Sequence, residues 1–170
     1  MNEIDSYKKF LNPPLGERGY FDFEEDFVEK NMRCIPMIVR FKMDAAGIKL
    51  KLAEWNRFST LEKIILATRR AATPQEIDAY HQYLVGLIRK HTDAEATTLA
   101  IEATPAWSIL NTIPDMLQEK ATESGWKIHT AQWQQLTNLQ RFALLKLCRP
   151  GHENKNFPKA MKEFGLATAQ

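Results

Sequence analysis

The chain is short of the groups with which small proteins usually do chemistry. It has two cysteines, Cys34 and Cys148, far apart in sequence. That spacing argues against a disulfide framework or a zinc ribbon, and for single thiols in a reducing compartment. Glycine is sparse and isolated, seven residues in all. Neither G-x-G-x-x-G nor G-x-x-x-x-G-K-[ST] occurs, so no phosphate-cradling loop is expected. H-E-x-x-H and paired Cys/His spacings are missing too, which argues against a metal or iron–sulfur site held by this chain alone. No apolar run approaches the ~20 residues that cross a bilayer. The first residues, Met1-Asn2-Glu3-Ile4-Asp5, are acidic where an export signal is basic and then apolar, so a cytoplasmic location is expected. A net charge of +2 provides no general pull toward nucleic acid or an anionic membrane.

What is present is globular. Hydrophobic residues make up 44% of the 170 and charged residues 26%, the composition of an ordinary soluble domain. Sliding the chain against itself by 78 positions lays residues 35–67 over 113–145 without a gap. Ile35-Pro36, Lys42, Gly47, Lys49, Ala53, Trp55, Leu61 and Leu66 fall on Ile113-Pro114, Lys120, Gly125, Lys127, Ala131, Trp133, Leu139 and Leu144. These are nine identities in 33 positions, where composition alone yields about two. The reading is an internal duplication.

Each copy has a readable grammar. Ile-Pro opens a helix, since proline is tolerated in the first turn; in the second copy Thr112 and Asp115 add a capping-box-like start, with Ile113, Met116, Leu117 and Ala121 on one face. Gly47 and Gly125 stand where a left-handed residue would end that helix. Alternating stretches follow, Ile48–Leu52 and Trp126–Thr130, which suit either two short paired strands or extended loops. A corner around the tryptophan leads to Ser59-Thr60-Leu61-Glu62 or Thr137-Asn138-Leu139-Gln140, capping boxes that open helices with Leu61, Ile64, Ile65 and Leu139, Phe142, Ala143 inward. Outside the repeat, Thr73-Pro74-Gln75-Glu76 starts a helix with a stripe of Ile77, Tyr80, His81, Leu84, Leu87 and Ile88. Phe157, Ala160, Met161 and Phe164 mark a shorter helix ending at Gly165. Phe23, Phe27 and Val28 suggest a brief N-terminal helix with acids 24–26 on its wet side. The expected fold is mainly α: two diverged helix–extended–corner–helix units, related by a pseudo-twofold axis, in one compact domain over 21–166. Tails are expected at 1–20 and 167–170, and 91–111 reads as the connector between copies.

Candidate functional residues are few. Cys34 lies beside Arg33 at a helix start, a setting that can activate a thiol, although a small buried side chain explains it as well. Cys148 is at a helix C-terminus, where the dipole disfavours a thiolate. Lys42, Lys49, Lys51, Arg40 and Arg57 make the first copy basic, as a solvated face or as a surface for an acidic partner. Trp55 and Trp133 read as core. The most unusual segment is Arg149-Pro150-Gly151-His152-Glu153-Asn154-Lys155-Asn156, either a recognition loop or a turn whose asparagines cap the next helix. His152 beside Glu153 resembles a general base and its neighbour, but adjacent side chains point apart and no nucleophile accompanies them. No catalytic, cofactor or metal site is expected, and the chain reads as a non-enzyme.

Phe21-Asp22-Phe23-Glu24-Glu25-Asp26-Phe27-Val28, Arg33-Cys34-Ile35-Pro36-Met37, Val39-Arg40-Phe41-Lys42, Gly47-Ile48-Lys49-Leu50 with Trp55, and Arg149 through Phe157 together resemble the nitrate reductase-associated protein family, a small, chiefly cyanobacterial family. The resemblance covers about residues 21–166. It implies an accessory role in producing active assimilatory nitrate reductase, with the reductase or its maturation machinery as partner. It brings no catalytic residues. Read from the chain's own exposed and basic segments, the expected partner contacts are Arg33, Cys34, Lys49, Lys51, Arg149, His152, Glu153, Asn154, Lys155 and Asn156. Two other classes stay open: a nucleic-acid-binding helical regulator, for which neither capped helix offers a convincing base-reading set, and a small-molecule or molybdenum-cofactor carrier.

Overall fold

A computed structural model describes residues 20–24 and 34–168, with the side chains of His152 and Glu153 excepted. The chain divides into two compact units, one ending at Ile101 and the other beginning at Glu102.

In the first unit the opening helix, α1 (Met37–Ala46), begins after Pro36, which has no side-chain acceptor for the unpaired N–H groups of a first turn. The acceptor comes from another part of the chain. Glu24, in a 3-10 turn over Asp22–Glu24, takes the Met37 N–H on Oε1 at 2.7 Å and the Phe21 N–H on Oε2 at 3.0 Å. Glu24 is therefore buried, not on a wet face as its sequence neighbours suggested; Phe27, Val28 and acids 25–26 lie outside the described residues. Gly47 ends α1 at φ 70°, and a side chain there would also press on Ile101 and the Leu99 carbonyl at 3.1–3.2 Å.

Ile48–Lys49 then forms β1, which pairs antiparallel with β2 (Thr97–Thr98) in the register Ile48↔Thr98 and Lys49↔Thr97. The small two-stranded element exists, but the partner of β1 is in the expected connector and not in 126–130. The expected alternation holds through Lys51, with Ile48 and Leu50 buried and the two lysines exposed; Leu52 breaks it, at 51% exposure, because it begins the one-turn helix α2 (Leu52–Trp55). Capping boxes open α3 (Thr60–Thr68) and α4 (Pro74–Thr92) as read from sequence: Ser59 Oγ accepts the Glu62 N–H and Thr73 Oγ1 accepts the Glu76 N–H, both at 3.2 Å, with each glutamate reaching back. The stripe on α4 buries Tyr80, Leu84, Leu87 and Ile88 against α1, and α4 runs to Thr92, past the expected start of the connector. One reading fails on α3: Leu61 is 61% exposed. It shares an outward line with Ile65 and Thr68, at i, i+4 and i+7, because the helix turns Lys63, Leu66 and Ala67 inward.

The second unit comprises a 3-10 turn (Ala106–Ser108), α5 (Asp115–Glu123), α6 (Thr130–Gln135), α7 (Asn138–Leu147), a 3-10 turn (His152–Asn156) and α8 (Phe157–Glu163). Its core is Leu117, Ala121, Ile128, Trp133, Leu136, Phe142, Leu144, Leu147, Phe157, Ala160 and Met161. Thr137 and Gln140 form the expected capping box of α7. The start expected for α5 does not form: Pro114 is the cap and no side chain bonds to it, while Thr112 turns to Asn111 and Met116 is 43% exposed. The extended stretch before α6 is held by one side chain. Gln118 donates through Nε2 to the Ile128 carbonyl at 2.8 Å and accepts the Ile128 N–H on Oε1 at 3.0 Å, pairing the backbone as a neighbouring strand would.

Glu24 carries α1 across a gap of thirteen residues in sequence. Glu24→Ala should lower unfolding free energy by about 1–3 kcal/mol, the range for losing a cap and leaving a buried N–H unpaired. Glu24→Gln keeps an acceptor and should lose less. Urea denaturation of both variants measures this, and an alanine variant as stable as the natural chain would contradict it.

Candidate functional site

The charged side chains that sequence left unassigned are largely used inside the units. Trp55 and Trp133 are completely buried, and each has a buried cation over its ring: Lys63 Nζ at 5.3 Å and the Arg141 guanidinium carbon at 5.7 Å from the ring centre. Arg141 donates to the carbonyls of Trp107 (2.7 Å), Trp133 (3.2 Å) and Leu136, and to Asn138 Oδ1. It thereby supplies donors to the C-terminal end of α6, where carbonyls are unpaired and the helix dipole is negative. Trp133 itself donates from Nε1 to the Ile109 carbonyl at 2.8 Å.

A second cluster lies in the first unit. Glu62 accepts from Lys90 Nζ at 2.8 Å and is paired with His91 Nε2 at 2.9 Å, besides capping α3. Burial pushes its carboxyl pKa up, but hydrogen bonds from Lys90, the Ser59 backbone, His91 and the Ser59 hydroxyl outweigh this and hold it at about 2. Arg57 donates to the His91 carbonyl at 3.0 Å. The capping role of Glu62 was legible; its pairing with residues 28 and 29 positions away was not, although basic residues in the last turn of α4 were the available signal.

Of the expected contact residues, Arg33 lies outside the described residues. Cys34 is half-buried just before α1. Lys49 and Lys51 are exposed beyond its other end, and ten residues of helix put about 15 Å between the two positions. Within the first unit they are thus not one patch. The basic face also divides. Lys42 is half-buried and donates to the Ala67 carbonyl at 2.7 Å, and burial lowers its pKa to about 8; Arg40 is half-buried with its Nε on the Ile35 carbonyl. Both pair backbone carbonyls within the first unit.

In the second unit Arg149, Pro150, Gly151 and Lys155 are exposed, Asn154 is half-buried and Asn156 is buried at 3% exposure. The stretch is partly helical, His152 through Asn156 forming a 3-10 turn that runs into α8. Asn156 stands at the cap position of α8, yet its side chain makes no capping bond, so of the two readings open for this stretch the one in which Asn156 caps the next helix does not hold. The helical backbone there leaves the side chain turned away from the first-turn N–H groups. Cys148 is half-buried, and burial pushes its thiol up to about 12. Among the described residues no group of three or more His, Cys, Asp or Glu side chains is placed to hold a metal ion.

A family model described as conserved nitrate reductase-associated protein matches residues 20–164. No curated protein and no solved structure matches the chain.

Two outcomes follow from this chemistry. Because the Glu62 pKa is depressed in the folded chain, its stabilisation is complete above about 4.5, the ordinary value, and is lost as pH falls toward about 2. The stability difference between the natural chain and Glu62→Gln should therefore shrink steadily between those values in acid titrations of unfolding; a constant difference would refute the assignment. Cys148, with its thiol held protonated, should resist iodoacetamide in the native chain at pH 8 and react fully in urea, as read by peptide mass.

Proposed function

The chain belongs to the conserved nitrate reductase-associated protein family, and on that premise we propose that it is a non-catalytic accessory protein for the maturation, assembly or stability of assimilatory nitrate reductase. It acts in the cytoplasm by binding protein. The observation that carries this reading is how the side chains of the distinctive segments are used. Glu24, Arg40 and Lys42 are engaged in pairing backbone groups, whereas Arg149, Lys155, Lys49 and Lys51 face solvent. An exposed side chain such as Arg149, on a turn held by helices at both ends, is suited to recognition. We assign the partner contacts to Arg149, His152, Glu153, Asn154, Lys155 and Asn156 in the second unit, and to Arg33, Cys34, Lys49 and Lys51 in the first.

The two units are read as diverged copies of one ancestral unit, 35–67 and 113–145. Supporting this are the shared order of helix, left-handed glycine (φ 70° at Gly47, 74° at Gly125), extended stretch, one- to two-turn helix and capped helix. The same aligned position carries the cation over the buried tryptophan in each. Such a scaffold holds its interior by itself and leaves its surfaces for a partner.

Affinity capture with tagged chain from nitrate-grown cells tests the reading. Nitrate reductase should be recovered with the natural chain. Arg149→Glu, at an exposed position, should leave unfolding stability within about 0.5 kcal/mol and reduce the recovered reductase several-fold. A deletion strain with unchanged nitrate reductase activity would remove the proposal.

A further inference from the structure

The two-stranded sheet of the first unit leaves the outer edge of β2 open. Ile48 stands opposite Thr98 and Lys49 opposite Thr97, and the Leu99 N–H donates to the Gly47 carbonyl at 2.8 Å. In an antiparallel ladder a bond that runs around the pair Ile48 and Thr98 in this way marks that pair as one that exchanges none itself. The Thr98 N–H and C=O therefore point away from β1, and Thr98 is exposed. Among the described residues neither Ala96, Thr98 nor Ala100 forms a backbone hydrogen bond with another part of the protein.

This edge lacks the usual protection. Open strand edges are ordinarily blunted by lysine, proline, a bulge or a covering element, because an unpaired backbone recruits another strand. Ala96-Thr97-Thr98-Leu99-Ala100-Ile101 carries neither charge nor proline. Nor is it covered, since Thr98 and Ala100 are exposed and Leu99 keeps 37% of its surface in solvent. The lysines of the sheet region, Lys49 and Lys51, are on the β1 side. A sheet of two strands is also marginal by itself and gains from further strands.

We propose that the outer edge of β2 is a homodimer interface, on which a second copy of this chain lays its own β2 antiparallel about a twofold axis at Thr98. The occupant follows from the symmetry and charge of the segment. Thr98 faces Thr98 of the partner subunit, and each N–H donates to the carbonyl of the other, a contact that is the same from both sides. Ala96 lies opposite the partner subunit's Ala100, and Thr97 opposite the partner subunit's Leu99, so small meets small and β-branched meets aliphatic. Asp93, Glu95 and Glu102 fall opposite the partner subunit's Ala103, the partner subunit's Ile101 and the partner subunit's Ala94, so no acid meets another. Parallel pairing in register would set each acid against itself. The product is a sheet in the order β1–β2–β2–β1, shared between copies. So short an edge buries little area, and the association is weak, with a dissociation constant in the micromolar range. The inference stands apart from the docking role proposed above.

Sedimentation equilibrium of the purified full chain tests this, and the natural chain should show a monomer–dimer equilibrium. Thr98→Pro removes the outward N–H and spares the bonds to β1, because proline is tolerated at a strand edge whose N–H faces solvent. It should weaken dimerisation at least about tenfold and leave the urea midpoint of the monomer close to the natural one. Thr98→Lys and Thr98→Glu should each be monomeric, and mixing them should restore a dimer, because residue 98 meets its own counterpart about this axis. A natural chain that stays monomeric to about 1 mM would overturn the inference. That holds even if the edge instead took up an extended segment of nitrate reductase, a result that would leave the docking role intact. A dimer undiminished by Thr98→Pro would place the contact elsewhere and also overturn it. So would charge variants that dimerise singly or stay monomeric when mixed, and if Thr98→Pro does not fold, the charge variants decide alone.

Discussion

Short helices have more ends than middles, and every end leaves backbone N–H or C=O groups that must be paired before they are buried. Of the helices among the described residues, only α4 exceeds ten residues. Cap satisfaction is therefore the constraint on which the structure turns. The N-terminal ends take carboxylates, carboxamides and hydroxyls: Glu24 on α1, Ser59 with Glu62 on α3, Thr73 with Glu76 on α4, Thr137 with Gln140 on α7. The C-terminal ends take cations: Lys42 on Ala67 of α3, Arg57 on His91 of α4, Arg141 on Trp133 and Leu136 beside α6. Where the capping group is charged, its sign agrees with the helix dipole at each of these ends.

This use of charge explains why the interior contains Glu24, Glu62, Lys63 and Arg141 without losing cohesion. A buried charge is tolerated when its hydrogen-bonding groups are filled. Arg141 meets that condition with carbonyls, not with a carboxylate, and the Trp133 ring below it adds a weak attraction. The aromatic ring and its cation are thus one structural device, and the tryptophans are engaged in packing. In the second unit the charges that stay exposed include Arg149 and Lys155, on the turn before α8.

Much of the fold was legible because capping is local. A hydroxyl followed three places later by Glu or Gln, a proline in a first turn or a glycine after a last turn brings its partners within a few residues, and α1, α3, α4, α7 and α8 were all placed in this way. Failures occurred where a side chain answered to something distant. Leu61 satisfied every local rule for an inward leucine, yet the face of α3 that is buried carries Lys63, Ile64, Leu66 and Ala67. Acids 24–26 looked like one wet face until Glu24 was drawn to the start of α1. The alternating stretches looked like partners for each other, but a single backbone pattern accepts either a strand, as Ile48–Lys49 does, or the side chain of Gln118.

By itself the sequence determined the helical class, the starts of the capped helices α3, α4 and α7, the buried tryptophans and the family, since each depends on periodicity, on caps within one turn or on short distinctive strings. Tertiary structure alone decided which charges are interior, what pairs with β1, and that Asn156 is enclosed while Arg149 is not. Those outcomes depend on distances between groups remote in the chain, and no rule of spacing encodes which of several equally suited donors will arrive first at an unpaired carbonyl.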